Sequence, residues 1–246
     1  MVKWKLLLAT VGLAAAVASP ALLMSGHPAG ASAASPAASS ATPSATPSAP
    51  ASPPTAEQLL AKTTNCDSPV TKDPLQTDED APADVNVCGM KGAVFMKADM
   101  DIDCDGQETD QCNSDTDCCF QNDTTFHQSD GQPLNSAELP YIVLPESSDN
   151  WKWEDNGIDG GSVVAVIYNN KITYAVFGDT DSPNKAGEAS YATAKSLGID
   201  PDPKSGGVDD GVTYIVFENT TADPIESHDS AVTLGQQAAQ TFINNN

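Results

Sequence analysis

The sequence predicts a mainly β fold: one β-barrel-like domain with a few short helices and loops stapled by disulfides. Three observations lead there. Short Val/Ile/aromatic runs recur with turn residues between them and without regular strand–helix alternation, which favours a barrel or sandwich over a parallel α/β sheet. Two of these runs are joined by Asn169-Asn170, and Asn tolerates the positive φ of a tight hairpin turn. Six cysteines, at 66, 88, 104, 112, 118 and 119, fall in a stretch with few apolar residues, where covalent bridges would replace a core.

The elements follow in chain order. Ala56 to Lys62 reads as a helical turn, and Gly92 to Lys97 and Tyr141 to Leu144 as short strands. Ser162 to Tyr168 and Lys171 to Phe177 form the hairpin, and Val212 to Phe217 is a buried strand between Gly211 and Asn219. One helix is expected at about Glu188 to Leu197, stopped by Gly198. A second is expected at about Ser230 to Ile243, capped by Asp229 or Ser230.

The first 56 residues have a different character. Lys3 and Lys5 precede an apolar run from Leu6 to Val17, and Ala31-Ser32-Ala33 offers a small-residue cleavage site, the parts of a secretory signal over residues 1–33. An uncleaved anchor from Leu6 to Met24 is the alternative, though Ser19 and Pro20 interrupt it. Residues 34–56 are almost entirely Ala, Ser, Pro and Thr, a composition with nothing to bury, and are expected to be an extended linker. The remaining 57–246 is long enough to bury a substantial core as one domain. In an oxidising compartment its six cysteines read as three disulfides, with fifteen possible connectivities and vicinal Cys118 and Cys119 taking different partners. A zinc site would lack a C-x-x-C pair.

Charge narrows the function. Thirty-four Asp and Glu stand against eleven Lys and no Arg, a net charge of −23. Loss of Lys3 and Lys5 with the leader leaves nine lysines and −25. A phosphate backbone or an anionic membrane surface would be repelled, so no nucleic acid and, after signal cleavage, no membrane is expected as a partner. A cationic partner fits, and so does plain solubility. Thirteen of the acids lie between Lys97 and Lys152, where no other basic residue intervenes.

Two acidic constellations stand out. In Asp99-Met-Asp101-Ile-Asp103-Cys-Asp105-Gly106 four Asp recur at every second position, which on a strand places them on one face. Counted from Asp101 the twelfth residue is Cys112 rather than Glu, so an EF-hand is disfavoured. A structural Ca²⁺ loop, a surface for a cationic ligand and a solvated acidic loop all stay open. The second is Phe177-Gly-Asp179-Thr-Asp181 followed by Gly187-Glu188-Ala-Ser190, with Asp179 at a strand end and Glu188 at a helix start. Two firmly held carboxylates are the minimum for glycoside hydrolysis, but each is also an ordinary turn or helix-dipole choice.

Taken together, Asp99-Met-Asp-Ile-Asp-Cys-Asp-Gly106, Phe177-Gly-Asp-Thr180 and Gly187-Glu-Ala-Ser190 resemble, in order, the signature blocks of the chitosanases of glycoside hydrolase family 75, across about Cys88 to Phe217. The resemblance implies a six-stranded double-psi β-barrel. It also implies inverting, endo-acting hydrolysis of β-1,4-linked glucosamine without metal or organic cofactor, and a catalytic pair at Asp179 and Glu188. The segment Asp181 to Ala186 is shorter than in some fungal members, so the loop beside the cleft differs. A monomer is expected.

The charge then acquires a reason. Chitosan carries protonated amines in mildly acidic water, and a carboxylate groove attracts it in a salt-sensitive way. Asp99, Asp101, Asp103 and Asp181 are the candidates for binding these amines. Glu188 is assigned general acid and Asp179 general base, because Glu has the higher intrinsic pKa and like charges nearby raise it further. Trp151 and Trp153 are candidates for stacking on sugar rings, with core packing the equal alternative. His127 and His228 have no third partner at ligand spacing and are not assigned to a metal. A non-catalytic carbohydrate-binding or Ca²⁺-stabilised module remains the second reading of the chain.

Overall fold

In the computed structural model, residues 52–246 are described; the leader and most of the linker lie outside them. Helix α1 (Ala56–Leu60) opens with a capping box in which the Thr55 side chain accepts from Gln58 N–H. Seven strands follow: β1 (Cys88–Met90), β2 (Ala93–Asp103), β3 (Tyr141–Pro145), β4 (Ser162–Tyr168), β5 (Lys171–Asp181), β6 (Glu188–Ser190) and β7 (Val208–Thr221). Helix α2 (Tyr191–Leu197) follows β6, and α3 (His228–Asn245) closes the chain.

The strands run in the order β2-β6-β3-β5-β4-β7, and β7 pairs back onto β2, closing a six-stranded barrel with β1 as an appendage. The predicted fold class and the strand number implied by the resemblance both hold. The hairpin forms as read, with Asn169 and Asn170 at φ 46° and 62°.

Alternation along each strand separates two cores. The barrel interior takes Val94, Met96, Ile142, Val164, Phe177, Ala189 and Tyr214 from all six strands. The opposite face carries Phe95, Ala165, Val176, Ile215 and Phe217, against which α3 lays Ala231, Ala239 and Phe242.

Several details depart from the sequence reading. The strands at 93 and 171 run on to Asp103 and Asp181, so the acidic blocks belong to β-structure. Glu188 lies in β6 and not in a helix. Glu188-Ala189-Ser190 is held by β2 on one side and β3 on the other, and Ser190, accepting from Thr193 N–H, caps α2 only after it. Three residues are too few to show a period, so the strand was hidden beneath the helical pattern that follows. The cap of α3 is Ser227, accepting from Ser230 N–H, rather than Asp229 or Ser230.

The disulfide expectation is also corrected. Cys66–Cys88 and Cys104–Cys112 are bridged, whereas Cys118 and Cys119 are unbridged thiols 3.1 Å apart, so the described residues carry two bridges and not three. The other four cysteines satisfy one another, leaving the vicinal pair no separate partners.

Candidate active site

Register builds the site. Val143 of β3 pairs with Asp179 of β5 on one side and with Glu188 of β6 on the other, and Glu188 pairs in turn with Asp101 of β2. Partners in register point to the same face, so Asp101, Glu188, Val143 and Asp179 form one row across four adjacent strands. All four line a cavity of about 440 Å³, together with Asp103, Asp105, Asp181 and Lys185. Two strand spacings separate the Cα atoms of Asp179 and Glu188, roughly 9–10 Å.

Asp179 is 7 % exposed. Its Oδ1 accepts from Thr125 N–H and Thr125 Oγ1, both at 2.8 Å, and from Thr180 N–H at 2.7 Å, leaving Oδ2 without a donor among the described residues. Burial raises its pKa while these three donors oppose the rise by stabilising the anion. Thr125 reaches the strand because its neighbour Phe126 is wedged between Phe177 and Trp153, ring centroids 5.0 and 6.5 Å away. Phe126 N–H also donates to the Gly178 carbonyl, tying the loop to β5.

Glu188 is held by its strand and approached at 3.6 Å by the Lys185 ammonium. Burial pushes its carboxyl up to about 7; Lys185 opposes this, and Asp181, Asp101 and Asp105 reinforce it. Asp103, 6 % exposed, lies well above the usual carboxylate range through burial and then the charges of Glu188, Asp105 and Asp179. Its Oδ1 accepts from Asp105 N–H and its Oδ2 has no partner. Burial thus raises both carboxyls, Glu188 to about 7, while at Asp179 the Thr125 and Thr180 donors temper the rise.

The Asp-Cys-Asp-Gly stretch also has a structural duty. Asp105 Oδ1 accepts from Gln121 N–H at 2.7 Å, and Gly106, at φ 108°, has the Leu134 carbonyl so close that any side chain would collide with it. These contacts brace the long loop that delivers Thr125. The Asp residues of β2 are spread along one face about 7 Å apart, rather than gathered round one point as a Ca²⁺ loop requires.

Of the sequence candidates, Asp101, Asp103, Asp179, Asp181 and Glu188 meet in the cavity. Asp99 does not line it; its carboxyl is buried against Gly187. Trp151 and Trp153 are 3 and 8 % exposed, with indole N–H groups donating to Asn156 and to the Pro145 carbonyl. They have no free ring face for a sugar, and Trp153 serves the site indirectly by clamping Phe126. Sequence reasoning missed Thr125, which is 54 residues from the Asp it holds. It also missed Lys185, whose signal was present: a single lysine between Asp181 and Glu188. His127 is paired with Asp123 at 2.6 Å on the surface.

The chain is also similar to known proteins. Residues 100–245 match the sequence model of the fungal chitosanases of glycosyl hydrolase group 75. Endo-chitosanase B of Aspergillus oryzae is 34 % identical over 157 residues, covering 57 % of this chain and 65 % of that protein. Endo-chitosanase C of A. oryzae is 34 % identical over 137 residues, 54 % and 33 % of the two chains. An endo-chitosanase of Aspergillus fumigatus is 32 % identical over 120 residues, 44 % and 50 %. The chain thus spans less than two thirds of the length of these relatives. The family match begins within β2, ends in α3 and takes in every carboxylate of the row, so the chain belongs to the chitosanase family of glycosyl hydrolase group 75.

Proposed function

We propose that this chain is a secreted, endo-acting chitosanase that hydrolyses β-1,4 linkages between glucosamine units with inversion at the anomeric carbon. The supporting observation is the row itself: two carboxylates on one face, on the two strands that flank Val143. Inverting pairs stand about 6.5–9.5 Å apart and retaining pairs about 5 Å. The names of the relatives, all endo-chitosanases, supply the substrate class.

In this reading Glu188, protonated below about 7, gives its proton to the glycosidic oxygen as the C1–O bond breaks. A water on the opposite side attacks C1 and loses a proton to Oδ2 of Asp179, the oxygen not engaged by Thr125 or Thr180. Asp101 and Asp181 supply negative charge for the substrate's ammonium groups, and Asp103, whose carboxyl burial holds well above the usual range, lines the cavity beside them. No metal enters the scheme. The leader of residues 1–33 directs export and the linker of 34–56 separates it from the catalytic domain of 57–246; no helix among the described residues is long and apolar enough to cross a membrane. The protein acts as a monomer.

Viscometry tests the reading. Soluble chitosan should thin rapidly and release short oligomers; binding without chain shortening would instead indicate a non-catalytic carbohydrate-binding module.

A further inference from the structure

A lysine is out of place in a cleft built from carboxylates. Lys185 Nζ sits 3.5 Å from Asp181, 3.6 Å from Glu188 and 3.8 Å from Asp101, groups from three different strands. Each distance exceeds the ~2.7–2.9 Å of a charge-assisted hydrogen bond, so the ammonium is held by summed Coulomb attraction and not by directional bonds. Its side chain is 24 % exposed, and Glu188 Oε2 has no hydrogen-bond partner. Asp103 Oδ2, buried and unpartnered, lines the same cavity.

The backbone under Lys185 is fixed while its side chain has somewhere else to go. Gln76 N–H donates to the Asn184 carbonyl, Ala186 N–H to the Gln76 carbonyl, and Asp101 N–H to the Gly187 carbonyl. Beside the cleft lies a second depression lined by Asp78, Glu79, Asp80 and Asp181, and Lys185 forms part of its wall too. A flexible four-carbon stem between two acidic hollows can move its charge from one to the other at small cost.

We propose that Lys185 is a tethered ammonium that fills an amine subsite in the empty cleft, so that substrate binds by exchanging a glucosamine ammonium for the lysine's between Asp101, Asp181 and Glu188. This rests on the chitosanase reading. The lysine offsets part of the negative charge of these carboxylates when no sugar is present, and it admits only ligands whose own cation can replace it. Neutral and N-acetylated sugars leave Lys185 in place and gain nothing there, which makes it a specificity residue for free amines.

The test is calorimetric binding of glucosamine tetramer to the Asp179→Asn protein, which leaves the three-carboxylate nest intact, with Lys185→Met or Lys204→Met added. Lys204 lines the same cavity, but its ammonium donates to the Asp115 carbonyl, so its loss removes equal charge without vacating the nest. Exchange predicts that Lys185→Met tightens binding by about two- to fivefold more than Lys204→Met, the worth of one partly exposed ion pair. Lys185→Arg should restore the weaker binding. Equal tightening by both variants, or weaker binding with Lys185→Met, overturns the exchange while leaving the chitosanase reading intact. No binding by any variant, with no cleavage by the wild type, overturns both.

Discussion

Asp179 and Glu188 share one neighbour: Val143 of β3 pairs with Asp179 in parallel register and with Glu188 in antiparallel register. The parallel pairing is shifted between Ile142 and Val143, where Ile142 faces Phe177 and Val143 faces Asp179, so Gly178 is skipped. That irregularity turns Asp179 out of the barrel interior, where Phe177 points, and onto the face that Glu188 occupies. A bulge of one residue thus sets which carboxylates meet.

Glu188→Gln should lower the cleavage rate by about a thousandfold while glucosamine oligomers still bind, since general acid catalysis contributes about 10²–10⁴. In the wild type, activity should fall as pH rises through about 7, where Glu188 gives up its proton. Rate and binding measured side by side decide this, and retained turnover would remove Glu188 from the scheme.

Thr125→Val removes the hydroxyl donor to Asp179 and keeps the backbone one. A hydrogen bond to a charged group is worth about 1.5–3 kcal/mol, so kcat should fall about ten- to a hundredfold. With its anion less stabilised, Asp179 would ionise at higher pH, and the acidic limb of the pH–rate profile should move upward. A profile that keeps its acidic limb would sever Thr125 from Asp179's function.

Stability should depend on pH in the reverse of the usual sense. Burial pushes Asp99 and Glu188 up to about 7 in the folded chain, against ordinary values of 3.8 and 4.5. The folded state therefore binds more protons than the unfolded state between about pH 4 and 7. The stability this confers is fully present below the unfolded values and is lost as pH rises through 7. Thermal unfolding from pH 5 to 8 should show a falling Tm, and a rising Tm would contradict the buried, protonated assignment.

Gly187→Ala should be severely destabilising. The backbone there has φ 100°, and a Cβ would lie 1.8 Å from Asp99 Oδ1. The unfavourable φ alone costs about 1–3 kcal/mol, and the Asp99 carboxyl, 6 % exposed, would have to shift as well. Chemical denaturation should show that loss, and cleavage should fall with it because Glu188 is the next residue. Near-wild-type stability would mean that Asp99 lies elsewhere.

How much of this was legible in the sequence follows from the range of each interaction. Local features read well: the Asn169-Asn170 hairpin and the Gly198 helix stop both rest on neighbours in the chain. The barrel closure through β2 and β7 joins segments more than a hundred residues apart, and only the family resemblance anticipated it. Asp179 and Glu188 could be singled out as a pair, but their common neighbour Val143 could not. Trp151 and Trp153 were equally compatible with a wall or a core, and burial placed them in the core. Thr125 carried no local signal, because its importance comes from Phe126 packing on Trp153 and Phe177. Cys118 and Cys119 misled because an even count implies pairing but not who pairs.

The anomeric configuration of the newly formed reducing ends tests the central claim most directly. Proton NMR during the first minutes of digestion of glucosamine hexamer by the wild-type protein would read it before mutarotation blurs it. The inverting reading, with Asp179 activating water and Glu188 as acid, predicts that the new ends appear first as the α-anomer. Ends appearing first as the β-anomer would contradict the water-mediated pairing of these two residues, and the absence of new ends would contradict the hydrolytic function itself.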